Sequence, residues 1–303
     1  MAKSAKSPAG RISTILWILA LVCVLAAAYY QRRTGPSHKL RGTLELAPDA
    51  EISYALIRSE NTDRDAEVSI PDHATLTSAT LYFRRHGTDE PFAILPLERT
   101  DPSGSKVASE RRWVASLPAQ PAAGKLDYYL MVATTGFAQR IPVEPGEFVV
   151  IRFKDPVPAT VLIPHIVAMF LAMWIGLRAG LAAIFEPAKS RRLAWITLAA
   201  LSVGGLCLGP IVQKYAFGAY WTGWPVGEDL TDTKTLVMWG GWLFAVIVVG
   251  LRRKLTWRRR GAVLLATIIM IGVYLVPHSL RGSTLDYRKL DEGVPAEKAI
   301  GTG

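Results

Sequence analysis

Five apolar stretches, each clean enough to demand burial around its whole circumference, constrain this chain more than anything else in it. Residues 12–30 run for 19 positions without a charge. Residues 159–185 are interrupted only by His165 and Arg178, and 193–212, 235–251 and 262–277 complete the set. A bilayer core takes about 20 apolar residues, within a range of about 17–25. The first three stretches meet that length. The last two are shorter, and each is closed at one end by a dense basic cluster. A surface helix of a soluble protein carries one apolar stripe at a 3.6-residue period, whereas these are apolar all round. The expected architecture is therefore a membrane α-helical bundle of five transmembrane helices, four of them in a C-terminal unit covering 158–278.

The chain carries a net charge of +10, which in a soluble protein would raise the question of nucleic acid. The charge is not spread evenly. Lys3, Lys6 and Arg11 lie in the N-terminal segment 1–11. Lys189, Arg191 and Arg192 stand against Glu186 between the second and third stretches. Arg252, Arg253, Lys254, Arg258, Arg259 and Arg260 separate the last two. These three segments alternate onto one side of the membrane, the cytoplasmic side by the positive-inside rule. Residues 31–158 hold 16 basic and 17 acidic side chains, and 279–303 is neutral. The basic excess is thus a topology signal. The lipid bilayer is the expected partner, and nucleic acid is not. The first stretch has a basic start and an Ala26-Ala27-Ala28 run that fits a cleavage site, but its length and the Arg32-Arg33 flank fit an uncleaved signal anchor. Either way the residues after it are exported. Cys23 and Cys207 fall inside spans and read as small packing residues.

After a polar linker, 31–42, the pattern changes over 43–157. Leu76–Phe83, Ala93–Leu97, Trp113–Leu117, Leu126–Ala133 and Phe148–Phe153 are rich in β-branched and aromatic residues. His86-Gly87, Asp101-Pro102-Ser103-Gly104, Pro121-Ala122-Ala123-Gly124 and Pro145-Gly146 punctuate them as turns. Short strands at this spacing predict an inserted all-β sandwich. His73 and His86 stand alone in turn-like contexts, and Arg84, Arg85, Arg111 and Arg112 lack an aromatic platform to stack on. The chain has no Gly-x-Ser-x-Gly, His-Glu-x-x-His, P-loop, Cys-x-x-Cys or haem-attachment motif, so no enzyme activity is expected.

The most unusual segment is 213–234, expected as an irregular exported loop. It holds Lys214, Tyr215, Phe217, Tyr220, Trp221 and Trp224, then Glu228, Asp229 and Asp232. His165 and His278, each after a proline, border the same face. One reading is structural: Trp and Tyr gather at membrane interfaces, and the acids cap the fourth span. The other is a site in which His165, His278, Asp229 and Asp232 hold a haem or a transition metal, with Lys214, Tyr215, Trp221 and Trp224 as a lid. Arg178 either snorkels to the inner interface or meets a lipid phosphate or another bound anion. Gly176 and Gly180 permit close helix approach.

Three resemblances accompany these readings. The run LYFRRHGTDEPFAILPLER with RRWVASLPAQPAAGKLDYYLMVA resembles fibronectin-type or immunoglobulin-like modules of bacterial exported proteins, which implies a β-sandwich and no activity. The segments IRFKDPVPATVLIPHIVAMFLAMW, GPIVQKYAFGAYWTGWPVGEDLTDTKTL and VPHSLRGSTLDY resemble an uncharacterised group of bacterial inner-membrane proteins. That implies a bacterial inner (plasma) membrane, with the N-terminus cytoplasmic and the β domain and the 279–303 tail periplasmic. The Trp-rich loop flanked by histidines loosely resembles bacterial haem-handling membrane proteins, though it lacks their Trp-Gly-x-Trp-Trp-x-Trp-Asp run. The leading functional expectation is a non-catalytic membrane subunit or accessory protein that presents its β-sandwich to partners in a membrane complex. The alternative is a haem- or metal-binding redox protein.

Overall fold

The computed structural model describes residues 8–47, 50–100, 111–250, 256–277 and 282–302. The chain opens with a long helix, α1 (Pro8–Thr34), and passes into the β domain. That domain comprises β1 (Leu40–Ala47), β2 (Ala50–Leu56), β3 (Ser59–Asn61), β4 (Ala66–Pro71), β5 (Leu76–Arg85), β6 (Ala93–Pro96), β7 (Glu98–Thr100), β8 (Arg112–Leu117), β9 (Lys125–Thr134), β10 (Ala138–Ile141) and β11 (Val149–Lys154). The helices α2 (Ala159–Phe185), α3 (Pro187–Leu201), α4 (Gly209–Phe217), α5 (Leu230–Val249) and α6 (Trp257–Leu275) follow. A π-helical segment, Ser202–Leu208, joins α3 to α4. The chain ends in β12 (Ser283–Leu285), α7 (Tyr287–Asp291) and β13 (Ile300–Thr302).

Four helical runs are long and apolar enough to cross a membrane: Gly10–Thr34, Ala159–Phe185, Pro187–Phe217 and Leu230–Val249. The fifth expected span is α6. Three arginines, 258–260, occupy its first turn, so only 261–275 is uncharged. The expected loop 186–192 shrinks to Glu186 alone between α2 and α3. The expected irregular loop starts later than the sequence implied. Lys214, Tyr215 and Phe217 sit on α4, which Gly218 ends in the left-handed conformation at φ +80° that glycine adopts without strain.

In the β domain, β3, β11, β9, β5 and β6 form the main sheet, with β10 also on β9. β4, β8 and β7 form a second sheet, and β1 and β2 a hairpin. All pairs are antiparallel except β11 with β3. Period-2 alternation puts Ala66, Val68 and Ile70 opposite Leu117, Ala115 and Trp113. Leu126, Tyr128, Leu130, Val149, Ile151 and Phe153 from the main sheet fill the same core. Each large apolar side chain buried there contributes about 1.5–3 kcal/mol. Tyr128 is fully buried, and its hydroxyl donates to the Ile57 carbonyl at 2.7 Å. Burial pushes that phenol's pKa up.

The other face of the main sheet carries an aromatic–arginine platform. Tyr82 and Tyr129, paired across β5 and β9, stack at 4.8 Å, with Phe92 edge-on to Tyr129 and Phe148 beyond. Arg84 lies 4.6 Å over Phe92, and Arg140 lies 4.3 Å over Tyr129. Arg84 therefore has the stacking partners that the sequence reading denied it. Phe92 lies across the turn that follows β5, and Phe148 is remote in the chain; the fold brings both against Arg84.

The bundle is held by close helix approach. A Cβ on Gly176 would meet Met270 Cε at 2.6 Å, and one on Gly180 would meet Thr267 Oγ1 at 2.6 Å. Both glycines let α2 pack directly on α6. Gly180→Leu is expected to cost about 1–3 kcal/mol by overpacking and to lower the unfolding midpoint in detergent. Gly240→Ala, which meets nothing within 4 Å, is expected to leave it unchanged or raise it. Equal midpoints for the two variants would contradict the α2–α6 contact.

Candidate functional site

The densest polar cluster lies where the bundle meets the β domain. Asp229 is the N-cap of α5, and its Oδ1 accepts the Thr231 N–H at 2.8 Å. Its Oδ2 accepts the Ser283 N–H at 3.0 Å and the hydroxyls of Ser283 and Thr222 at 3.2 and 3.4 Å. Asp232, in the first turn of α5, accepts the N–H groups of Thr222 and Gly223 at 2.7 and 3.2 Å. Gln213 of α4 donates to Thr222 Oγ1 at 2.8 Å and to Ser283 Oγ at 3.2 Å. Both carboxylates are buried, with Asp229 only 3% exposed. A buried charge is tolerated when hydrogen bonds replace its water. Here those donors come from the 218–229 loop, the head of α5 and β12.

The β domain enters the cluster through Arg152 of β11. Its Nη2 donates to the Ser283 carbonyl at 2.7 Å, and its guanidinium lies 4.3 Å from the Phe217 ring centre. Burial holds the Arg152 guanidinium down at about 10, against an attraction to Asp229 that opposes the shift. Burial, then repulsion from Arg152, pushes Lys125 down to about 8, and Asp229 and Asp127 oppose this. The Asp155 N–H donates to the Ala216 carbonyl at 3.0 Å, a direct backbone link from the end of β11 to α4.

The C-terminal segment closes over this junction. It was expected as a tail, but residues 282–302 fold onto the β domain. The Leu285 N–H donates to the Ala123 carbonyl at 3.0 Å, and the buried Tyr287 hydroxyl accepts the Lys125 N–H at 3.0 Å. Arg85 grips Asp291 through two hydrogen bonds of 2.7 and 2.8 Å. Leu285, Tyr287 and Ala299 form a small core of their own.

Beneath the cluster is a cavity of about 360 Å³, at the small end of the range for ligand pockets. Arg152, Gln213, Asp229, Asp232 and Lys234 line its polar end, and Met169, Phe170, Met173, Met238 and Val273 its apolar end. His165 lines it from α2, with Nδ1 2.9 Å from the Gly204 carbonyl in the π-helical segment. Lys234 Nζ donates to the Val276 and Pro277 carbonyls, at 2.5 and 3.2 Å, and Gln31 Nε2 to the Tyr274 carbonyl. These bonds satisfy carbonyls that the end of α6 leaves open.

The structure thus brings His165, Asp229 and Asp232 to one cavity. His278 lies outside the described residues. Tyr215 and Trp224 face outward at 46% and 64% exposure. Trp221 bonds the Trp224 carbonyl and Lys214 the Gly218 carbonyl, and neither lines the cavity. Arg178 is at the other end of the bundle, bonded to Glu186. His86, expected as a solvated side chain, pairs with the Asp127 carboxylate. Among the described residues, no group of three or more His, Cys, Asp or Glu side chains is placed to hold a metal ion. The two acids spend their oxygens on protein donors, which is the structural reading of the loop. Thr222, Gln213 and Ser283 carried no signal in the sequence. Arg152 carried one, as a basic residue within the apolar run 149–153.

Comparison with known proteins adds little to this geometry. No family model matches the chain, and no curated protein does. Among solved structures, that of Astrotactin-2, described as a conserved vertebrate-specific and perforin-like membrane protein involved in neuronal development, aligns with 75% of this chain at 11% identity and a TM-score of 0.25. The match spans 38% of that structure's length, and at this TM-score it bears on neither fold nor function.

Two measurements check the junction. Asp229→Ala removes the cap and leaves the buried Ser283 N–H without its acceptor, at an expected cost of about 3 kcal/mol. Asp229→Asn keeps an N-cap and should cost less. The melting order wild type, Asn, Ala is the expected result. The second concerns pH. Lys125 has a folded pKa of about 8 against an ordinary 10.5, so between these values the unfolded chain binds more protons. Stability should then rise with pH from 8 to 10, and Lys125→Met should flatten that slope.

Proposed function

We propose that this chain is a non-catalytic integral inner-membrane protein that presents an immunoglobulin-like β domain, in a fixed pose, to a protein partner in a membrane complex. In this reading the N-terminus is cytoplasmic, and the β domain and the C-terminal segment are periplasmic. The observation that carries it is the junction. A tethered module needs only a linker, but here Arg152, Asp229 and Ser283 join β domain, bundle and C-terminal segment through buried, charge-assisted bonds. Such bonds fix orientation.

The reading counts α6 as a fifth crossing. α5 starts at the β-domain end with Asp229, and Ser283 is back beside Asp229, so α6 returns the chain across the bundle. Its 19 residues span about 28 Å at 1.5 Å per residue, with Arg258–Arg260 at the interface. The presented surface is the platform of Tyr82, Tyr129, Phe148, Arg84 and Arg140, because Tyr and Arg dominate the energetic centres of protein interfaces.

The haem or metal alternative keeps His165 in the cavity, but the described residues supply no ligand set around it. The absorbance spectrum and metal content of the purified protein address it directly.

Purification in mild detergent followed by particle weighing tests the proposal. The expected result is a stoichiometric complex that Tyr129→Ala with Arg140→Glu dissolves while the melting midpoint holds. A monodisperse lone chain from native membranes would overturn it.

A further inference from the structure

At the end of the bundle away from the β domain, α1, α2 and α3 enclose a second pocket, of about 440 Å³. Trp17, Ile175, Leu193 and Ile196 supply its apolar wall, and Arg178, Lys189 and Arg192 its cations. Arg178 is fully buried. Its Nη2 bonds Glu186 and, at 3.2 Å, Ser13 Oγ, while its Nε and Nη1 are buried with no acceptor among the described residues. Its guanidinium also lies 5.4 Å from the Trp17 ring centre.

The charge count makes the pocket selective. Among the described residues, Glu186 is the one acid paired with any of these cations, and it meets two of the three. It is divided between Arg178 and Lys189, whose Nζ donates to Glu186 Oε1 at 2.6 Å and to Ser13 Oγ at 3.0 Å. That leaves two positive charges in excess and two guanidinium nitrogens unsatisfied. An unsatisfied buried donor on a charged group costs free energy that an incoming acceptor recovers. Phosphate oxygens are such acceptors, and guanidinium binds them with two parallel bonds. Arg192 is exposed at the rim, while the apolar wall continues toward the middle of the helices. The two halves match a phosphodiester head with acyl chains attached. The position also fits, since basic pockets between transmembrane helices bind acidic lipid head groups.

We propose that this pocket binds one acidic glycerophospholipid. The phosphate rests on Lys189 and Arg192 above Arg178, and the chains run along Trp17, Ile175 and Ile196. The site is independent of the junction and of the proposed partner.

The test is native mass spectrometry of the full chain in neutral detergent, titrated with phosphatidylglycerol, phosphatidylcholine or inorganic phosphate. The expected result is one retained phosphatidylglycerol per chain, with phosphatidylcholine held more weakly and no displacement by equimolar phosphate. Lys189→Gln with Arg192→Gln, both on exposed positions, should weaken phosphatidylglycerol binding about 30-fold, from about 1 kcal/mol per cation. Arg33→Gln, at the opposite end of α1, should not change it. Equal retention of the two lipids, displacement by phosphate, or an unaffected double variant would each overturn the proposal. Arg178→Gln is a further variant. Should it fail to fold, the exposed pair decides the matter alone.

Discussion

A carboxylate withdrawn from water at the head of a membrane helix has to be met by donors that the protein itself supplies. Asp229 is that carboxylate, and its donors come from three separate stretches of chain: Thr231 at the start of α5, Thr222 in the preceding loop, and Ser283 after α6. Because β12 reaches Asp229 only after α6 has returned, the cluster cannot form until the bundle is assembled. Because Arg152 bonds the carbonyl of that same Ser283, the β domain is fixed by the same event. The order of dependence runs from one buried charge to the seating of a whole domain. The cavity below is a consequence. Its polar end is the underside of this cluster, and its apolar end is lined from α2, α5 and α6.

The two ends of the bundle handle charge in opposite ways. At the junction, Asp229 and Asp232 stand among Arg152, Lys125 and Lys234, and nearly every oxygen described there has a donor. At the far end Glu186 serves two cations at once, and two N–H donors of Arg178 have no acceptor among the described residues. A balanced cluster locks pieces of a chain together, whereas an unbalanced one leaves attraction for something outside it. This difference separates a structural role at one end from a binding role at the other. The aromatic content of a loop or the presence of a histidine does not.

The parts of the architecture visible in the sequence are those set by a single periodic constraint. Apolar runs long enough for a bilayer gave α1 and α2, a shorter run closed by a basic cluster gave α5, and alternation of β-branched and aromatic residues gave β5, β6, β8, β9 and β11. What stayed hidden depended on pairing across distance. The strands before Leu76 carry Glu45, Glu51, Glu60 and Glu67, so their alternation is masked by charge. The third span reads as 193–212, with a loop from 213. The helical run instead continues to Phe217, through a π-helical segment after which the Gly209 N–H bonds five residues back to the Gly204 carbonyl. Residues 282–302 are polar and short. Nothing local announces that Ser283 caps a network or that Tyr287 is buried against β9.

The site was legible by half for the same reason. Asp229 and Asp232 ahead of an apolar helix spell an N-cap, and that role is the one the geometry carries. Histidine and tryptophan drew attention because both are common at metal and haem sites, yet Trp224 is mostly exposed and His165 is tied to a backbone carbonyl. The decisive groups were a serine, a threonine and a glutamine, residue types too frequent to stand out until an acid is found between them. In a membrane protein without a catalytic motif, the more informative question put to a sequence is which buried charge lacks a nearby partner. For Asp229 the partners lie in the loop before α5 and in the segment after α6. For Arg178 the described residues supply one shared carboxylate and a serine hydroxyl, and two of its nitrogens find no acceptor among them.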